Sequence, residues 1–244
     1  MSTDLLLALQ EAHAFDPFPV RDDLGVYHVP FSELAGDGHI EEALGDGCRR
    51  VERIGIVGDS GTGKSSLTAR VLGPLAEGVA PIVVPVPVLV FDDADRWLSG
   101  TFRDHDDLAR SFFGRVLPAL AGLRCSVVVA VHRRYLVDGA LRAGIDRVLE
   151  TLIELPELRN PDAVGAVLFS RVHAHRPEDN ATLADVIAAD AVSRLFELYR
   201  TGLRGELRGV LRTAHVALAD ACDSGADLIT TPMIDAASAA WDSA

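Results

Sequence analysis

Lysine is almost absent from this chain: one of its 23 basic residues, Lys64, is lysine and all the others are arginine. Cysteine is scarce as well. Cys48, Cys125 and Cys222 are odd in number and far apart, which excludes a disulfide framework and a cysteine-built zinc site and points to a reducing cytoplasm. No apolar run approaches the roughly 18 residues of a membrane-spanning helix. Leu5-Leu6-Leu7-Ala8-Leu9 lacks the basic flank and cleavage site of a secretory signal. Positive charge is also short. A net charge of −13 repels a phosphate backbone and disfavours general nucleic-acid binding, leaving a local basic patch as the only direct route. What is present is apolar material, 48% of 244 residues, enough for one large domain or two small ones with a sizeable core.

The single lysine stands in Gly58-Asp59-Ser60-Gly61-Thr62-Gly63-Lys64-Ser65-Ser66, which fits G-x-x-x-x-G-K-[ST], the P-loop or Walker A pattern. The apolar run Ile54-Gly55-Ile56-Val57 precedes it and a helical pattern from Ser66 to Leu72 follows, the strand, loop and helix that the pattern requires. Gly58, Gly61 and Gly63 let the backbone turn so that successive N–H groups surround phosphate, and the helix N-terminus adds its dipole. Lys64 is expected on the β- and γ-phosphates, where a compact ammonium fits better than a planar fork, and the Ser65 hydroxyl on Mg²⁺. No N-K-x-D segment that would read guanine occurs, which argues against GTP.

Val88-Leu89-Val90-Phe91-Asp92-Asp93 has the Walker B form, a buried strand ending in paired acids. The carboxyl end of such a strand is where α/β sheets bind ligands. Asp92 is expected to hold Mg²⁺ through water and Asp93 to orient or activate the attacking water. The run Val79 to Pro87 abuts this strand directly, although neighbouring parallel strands need a crossover of roughly a dozen residues. One strand carrying all three prolines is excluded by their missing donors. The expectation is that a connecting segment is missing between Pro87 and Val88.

Elsewhere the patterns predict helices over 3–13 and 40–51, and a short strand at Tyr27-His28-Val29-Pro30-Phe31. The aromatics of this lead-in either cover an adenine or pack under the sheet edge. A helix over 106–120 is predicted with Leu108, Phe112, Val116 and Leu120 on one face. Ser126 to Val131 reads as another buried strand, ending at His132-Arg133-Arg134, where Arg133 or Arg134 would sense the γ-phosphate and His132 could substitute. Glu150 to Leu155 reads as the last strand. Asn160-Pro161 then opens a helical region with further helices near 183–188, 191–199, 203–221 and 232–241. Arg204, Arg208 and Arg212 form a stripe in it, and Arg204 could reach the phosphates. His173 and His175 lie two apart on a helix and point away from each other, against metal binding. The domains expected are a lead-in over 1–50, an α/β core over 51–156 and an all-helical part over 157–244.

Taken together, these motifs resemble AAA+ and related P-loop ATPases, nearest the origin-recognition-like and signal-transduction (STAND) branches. The resemblance spans nearly the whole chain. It implies an α/β three-layer sandwich around a parallel sheet of order 5-1-4-3-2, followed by a helical lid. It also implies ATP or ADP with Mg²⁺ on residues 58–66 and Asp92, Asp93 handling the water, a sensor-one arginine at Arg133 and a sensor-two arginine at Arg204. Self-association or a protein partner follows from the same likeness. Asp93, where many members carry glutamate, and an arginine at sensor one are similar to the STAND pattern. Two activities are expected from it: an ATPase that couples hydrolysis to conformational change or assembly, or a nucleotide-dependent switch with negligible turnover.

Overall fold

The computed structural model describes residues 2–19, 24–59, 61–76, 87–92, 105–120, 122–175, 181–203 and 206–242. They form two compact units, one from Gly38 to Pro156 and one made of Met1–Asp37 together with Glu157–Ala244.

The first unit is built on a parallel sheet whose central strands, the apolar runs 53–57 and 126–131, bury both faces, as central parallel strands do. β1 (Arg53–Val57), β2 (Val88–Phe91), β3 (Ser126–Val131) and β4 (Thr151–Glu154) pair in parallel in the order β2-β3-β1-β4. This is the expected 5-1-4-3 arrangement. The run assigned to the outer strand 2 lies outside the described residues, apart from Pro87, whose carbonyl accepts the Ser126 N–H at 2.9 Å. The proposed missing segment falls at that same junction.

Residue alternation sorts the helices onto the two faces. On one face Val127, Val129 and Val131 of β3 join a core with Phe113, Leu117, Tyr135, Leu141 and Ile145. These come from a π-helical turn (Phe112–Val116), α6 (Leu117–Leu120), α7 (Arg133–Val137) and α8 (Gly139–Val148), and α5 (His105–Ser111) adds Ala109. On the other face α3 (Ile40–Arg49) comes so near β1 that a Cβ on Gly47 would stand 2.6 Å from Ile54 Cδ1. Ser126 Oγ donates to the Cys48 carbonyl there. Burial, with Glu52 nearby, pushes the Cys48 thiol up to about 11, and Arg49 only partly opposes this. Cys48 is thus a protonated core residue and no nucleophile at neutral pH.

The stripe expected on 106–120 is corrected. Ala109, Phe112, Phe113 and Leu117 are buried, whereas Leu108 and Val116 are 51% and 44% exposed. Phe112 is buried and Leu120 packs on the core, as expected; a π turn over Phe112–Val116 bonds i to i+5 and so inserts one extra residue, which turns Val116 outward and Leu117 inward. Helices α7 and α8 were not foreseen, although Asp138 caps α8 by accepting the Leu141 N–H at 3.1 Å.

The second unit is helical: α1 (Ser2–Glu11), α2 (Phe31–Leu34), α9 (Pro161–His175), α10 (Ala189–Thr201), α11 (Leu207–Ser224) and α12 (Thr231–Asp242). Asn160 caps α9 by accepting the Ala163 N–H at 2.9 Å, as its sequence predicts. Gly225, at φ 67°, ends α11 in the left-handed conformation. Leu6, Leu9, Phe15, Leu195, Ala214 and Leu218 are wholly buried.

Two expectations fail here. No strand occupies 27–31: Pro30 caps α2 and Phe31 is its first residue, while Tyr27 lies under the Arg171 guanidinium at 4.0 Å. The lead-in aromatics therefore pack on helices of their own unit. Residues 183–188 form only a 3₁₀ turn over Leu183–Asp185, closed by the Thr182 and Asp185 capping box, and Ile187 bridges to Ile229. Arg208, one of the stripe arginines, stacks over Phe18 at 4.8 Å. Among the described residues no helix is long and apolar enough to cross a membrane.

Candidate phosphate-binding site

Strand register decides which side chains meet. Val57 of β1 is paired with Val131 of β3 and Glu154 of β4, so the next residues, Gly58, His132 and Leu155, emerge together at the carboxyl edge of the sheet. Phe91 is paired with Val129, which brings Asp92 to the same edge. Parallel sheets bind ligands there.

From Gly58 the chain turns into a loop. Gly61 and Gly63 have φ values of 75° and 96°, a region that a residue with a Cβ enters only at a cost. Thr62 folds its hydroxyl back to donate to the Asp59 carbonyl at 2.9 Å. Gly58 is required for a different reason, since a Cβ there would stand 2.4 Å from Thr62 Oγ1. Gly58→Ala should therefore displace Thr62 and distort the loop, weakening phosphate binding by about tenfold on the scale of overpacking penalties. Titration of ATP onto Gly58→Ala and Gly58→Ala/Thr62→Ala checks this, because removing the hydroxyl should restore most of the affinity.

Helix α4 (Lys64–Ala76) begins inside the motif, placing the positive end of its dipole at the loop. Lys64 is 5% exposed, and its ammonium donates to the Gly58 carbonyl at 2.9 Å and the Asp59 carbonyl at 2.7 Å. The loop is wrapped around the chain's one lysine. Next to it, Ser65 Oγ donates to Asp92 Oδ1 at 3.0 Å, which joins the start of α4 to the end of β2. Asp92 is expected to reach Mg²⁺ through water, but adjacent ligand oxygens of an octahedral Mg²⁺ stand about 3 Å apart, so this hydroxyl and carboxylate also suit direct ligation. Among the described residues no group of three or more His, Cys, Asp or Glu could hold a metal. A pair of oxygen ligands suits an ion that keeps its waters and shares phosphate oxygens, which is the habit of Mg²⁺.

At the end of β3, His132 Nδ1 accepts the Arg134 N–H at 3.0 Å and so caps α7. That contact leaves Nε2 to carry the proton of the neutral ring, and Nε2 lies 3.9 Å from Asp59 Oδ1. Arg133 is the first residue of α7. Its Nη2 donates to the Leu155 carbonyl at 2.9 Å, and its Nε is buried without a hydrogen-bond partner among the described residues.

The structure thus gathers Gly58, Asp59, Gly61, Thr62, Gly63, Lys64, Ser65 and Ser66 in one loop and helix start, with Asp92 beside Ser65. Ser60, Asp93 and Arg204 lie outside the described residues. Sequence reasoning singled out neither the capping role of His132 nor Leu155 as an acceptor. A polar residue directly before Arg133-Arg134-Tyr135-Leu136 was the available sign of the first; a backbone carbonyl leaves no sign at all.

No family model and no curated protein matches the chain. Among solved structures it is similar to Cdc6p from Pyrobaculum aerophilum, with 15% identity, a TM-score of 0.51 and coverage of 84% of this chain and 67% of that one. It is also similar to the Thermotoga maritima RuvB Holliday junction branch migration motor, with 14% identity, a TM-score of 0.48 and coverage of 87% and 72%. At such identities the likeness is one of architecture, and the Cdc6p match carries it: this chain shares the fold of that protein.

Proposed function

We propose that this chain binds Mg²⁺ and ATP on the 58–66 loop, hydrolyses ATP, and couples nucleotide state to conformational change or to assembly with copies of itself or a protein partner in a reducing cytoplasm. The observation that carries this reading is the meeting of Ser65 Oγ and Asp92 Oδ1 beside the buried Lys64 ammonium. Residues 27 positions apart converge on the hydroxyl, carboxylate and ammonium that a metal triphosphate needs, at the end of a helix dipole.

The roles follow from chemistry. Lys64 would exchange two uncharged carbonyl acceptors for β- and γ-phosphate oxygens, whose full negative charge adds Coulomb attraction that a carbonyl dipole lacks. Mg²⁺, held by Ser65 and Asp92, would supply charge neutralisation at the phosphates. Asp93 would orient the attacking water, whose oxygen bonds to the γ-phosphorus as the bond to ADP breaks, and would take its proton. Arg133 and Arg204 would offer positive charge to the γ-phosphate.

The test is titration of ATP with and without Mg²⁺, followed by phosphate release. Binding that tightens with Mg²⁺ and is followed by release is expected; no ATP binding would refute the proposal. A second reading, a switch that holds ATP or ADP with negligible turnover, is favoured by Asp93, one methylene shorter than the glutamate usual in AAA+ proteins. Tight binding with no phosphate release at any protein concentration would select it.

A further inference from the structure

The arginine at the end of β3 has an unexpected partner. Arg133 follows β3 by two residues, Leu155 follows β4 directly, and β1 lies between those strands. The Arg133 side chain therefore reaches across the end of β1, the strand from which the 58–66 loop departs, to the Leu155 carbonyl at 2.9 Å. Leu155 is the last residue on the ladder, its N–H donating to the Val57 carbonyl at 2.8 Å. One residue later, at Pro156, the chain leaves the sheet unit.

We propose that Arg133 is a positioning residue with two partners, holding the exit of the chain at Leu155 when the loop carries no nucleotide and releasing it when a triphosphate draws the guanidinium away. This rests on the nucleotide reading of the loop. Arg133 is poorly satisfied where it stands: its recipient is a neutral carbonyl, and its Nε is buried with no acceptor among the described residues. A planar fork with five donors and a permanent charge prefers phosphate oxygens to one carbonyl. A triphosphate at the same edge of the sheet supplies them. Once the guanidinium moves, the Leu155 carbonyl loses its charged donor and the last rung of β4 is held by the Leu155 N–H alone. The phosphate signal would thus reach the point where the chain passes to the helical unit, with no rearrangement of the sheet.

Hydrogen exchange at the Leu155 amide tests this in the full chain. Saturating Mg²⁺ and ATP should speed its exchange by about tenfold, the scale expected for losing a bond to a charged donor, and ADP should do so less. Arg133→Ala should exchange fast without nucleotide and show no further ATP response. Arg133→Lys, which keeps a cation able to donate to the carbonyl, should recover part of the basal protection. Unchanged Leu155 exchange in wild type under ATP shown to be bound by titration would overturn this inference and leave the nucleotide reading standing. Failure of ATP to bind would overturn both.

Discussion

Lys64→Ala should lose ATP binding, with affinity falling by about a hundredfold or more in isothermal titration. The ammonium is 5% exposed and closes the loop through two carbonyls at 2.9 and 2.7 Å. On phosphate it would make charge-assisted bonds worth about 1.5–3 kcal/mol each, and two of them amount to two or more powers of ten. Alanine also leaves the Gly58 and Asp59 carbonyls without their donor, so a modest fall in thermal stability should accompany the loss. Lys64→Arg separates charge from shape. It keeps the cation, but a planar fork does not fit where the loop closes on a narrow ammonium, and binding should remain impaired. Unchanged ATP affinity in Lys64→Ala would refute the placement of triphosphate in this loop.

Asp93→Ala should cut phosphate release by about 10²–10⁴, the range that general base catalysis contributes, while ATP affinity changes little. On the proposed reading the two aspartates have separate tasks. Asp92, which meets Ser65 at 3.0 Å, would hold the metal, so Asp92→Ala should weaken the Mg²⁺ dependence of binding. Asp93 would be the carboxylate that takes the proton of water. Single-turnover measurements with saturating ATP compare the variants directly. Release in Asp93→Ala equal to wild type would remove Asp93 from the chemistry.

What could be read from the residues followed their periods. Gly-x-x-x-x-Gly-Lys-Ser and the apolar runs around it fix local geometry by themselves, since Gly61 and Gly63 occupy backbone regions that other residues avoid. The strand order, in which β1 lies between β3 and β4, came from the family likeness, because no residue pattern encodes which strands become neighbours. Misreadings arose where a tertiary contact overrode a local pattern. Val116 fits a four-residue stripe perfectly well, yet the π turn over Phe112–Val116 turns it outward. Tyr27 and Val29 look like a strand, but among the described residues no strand pairs with them, and Pro30 precedes a helix instead. The partner of Arg133 was illegible because a carbonyl belongs to every residue alike.

The helical unit is assembled from both ends of the chain, whereas the sheet unit is continuous from Gly38 to Pro156. This sets an order of events on the ribosome, where domains complete from the N-terminus onward. Leu6, Leu9 and Phe15 are wholly buried, and α1 packs against α11, so α1 must wait until α11 has been synthesised. During that interval the phosphate-loop unit has all of its own sequence and can already be complete, while the early leucines remain exposed to chaperones. Nascent chains stalled before α11 should therefore carry a formed sheet together with an unburied, sticky N-terminal segment.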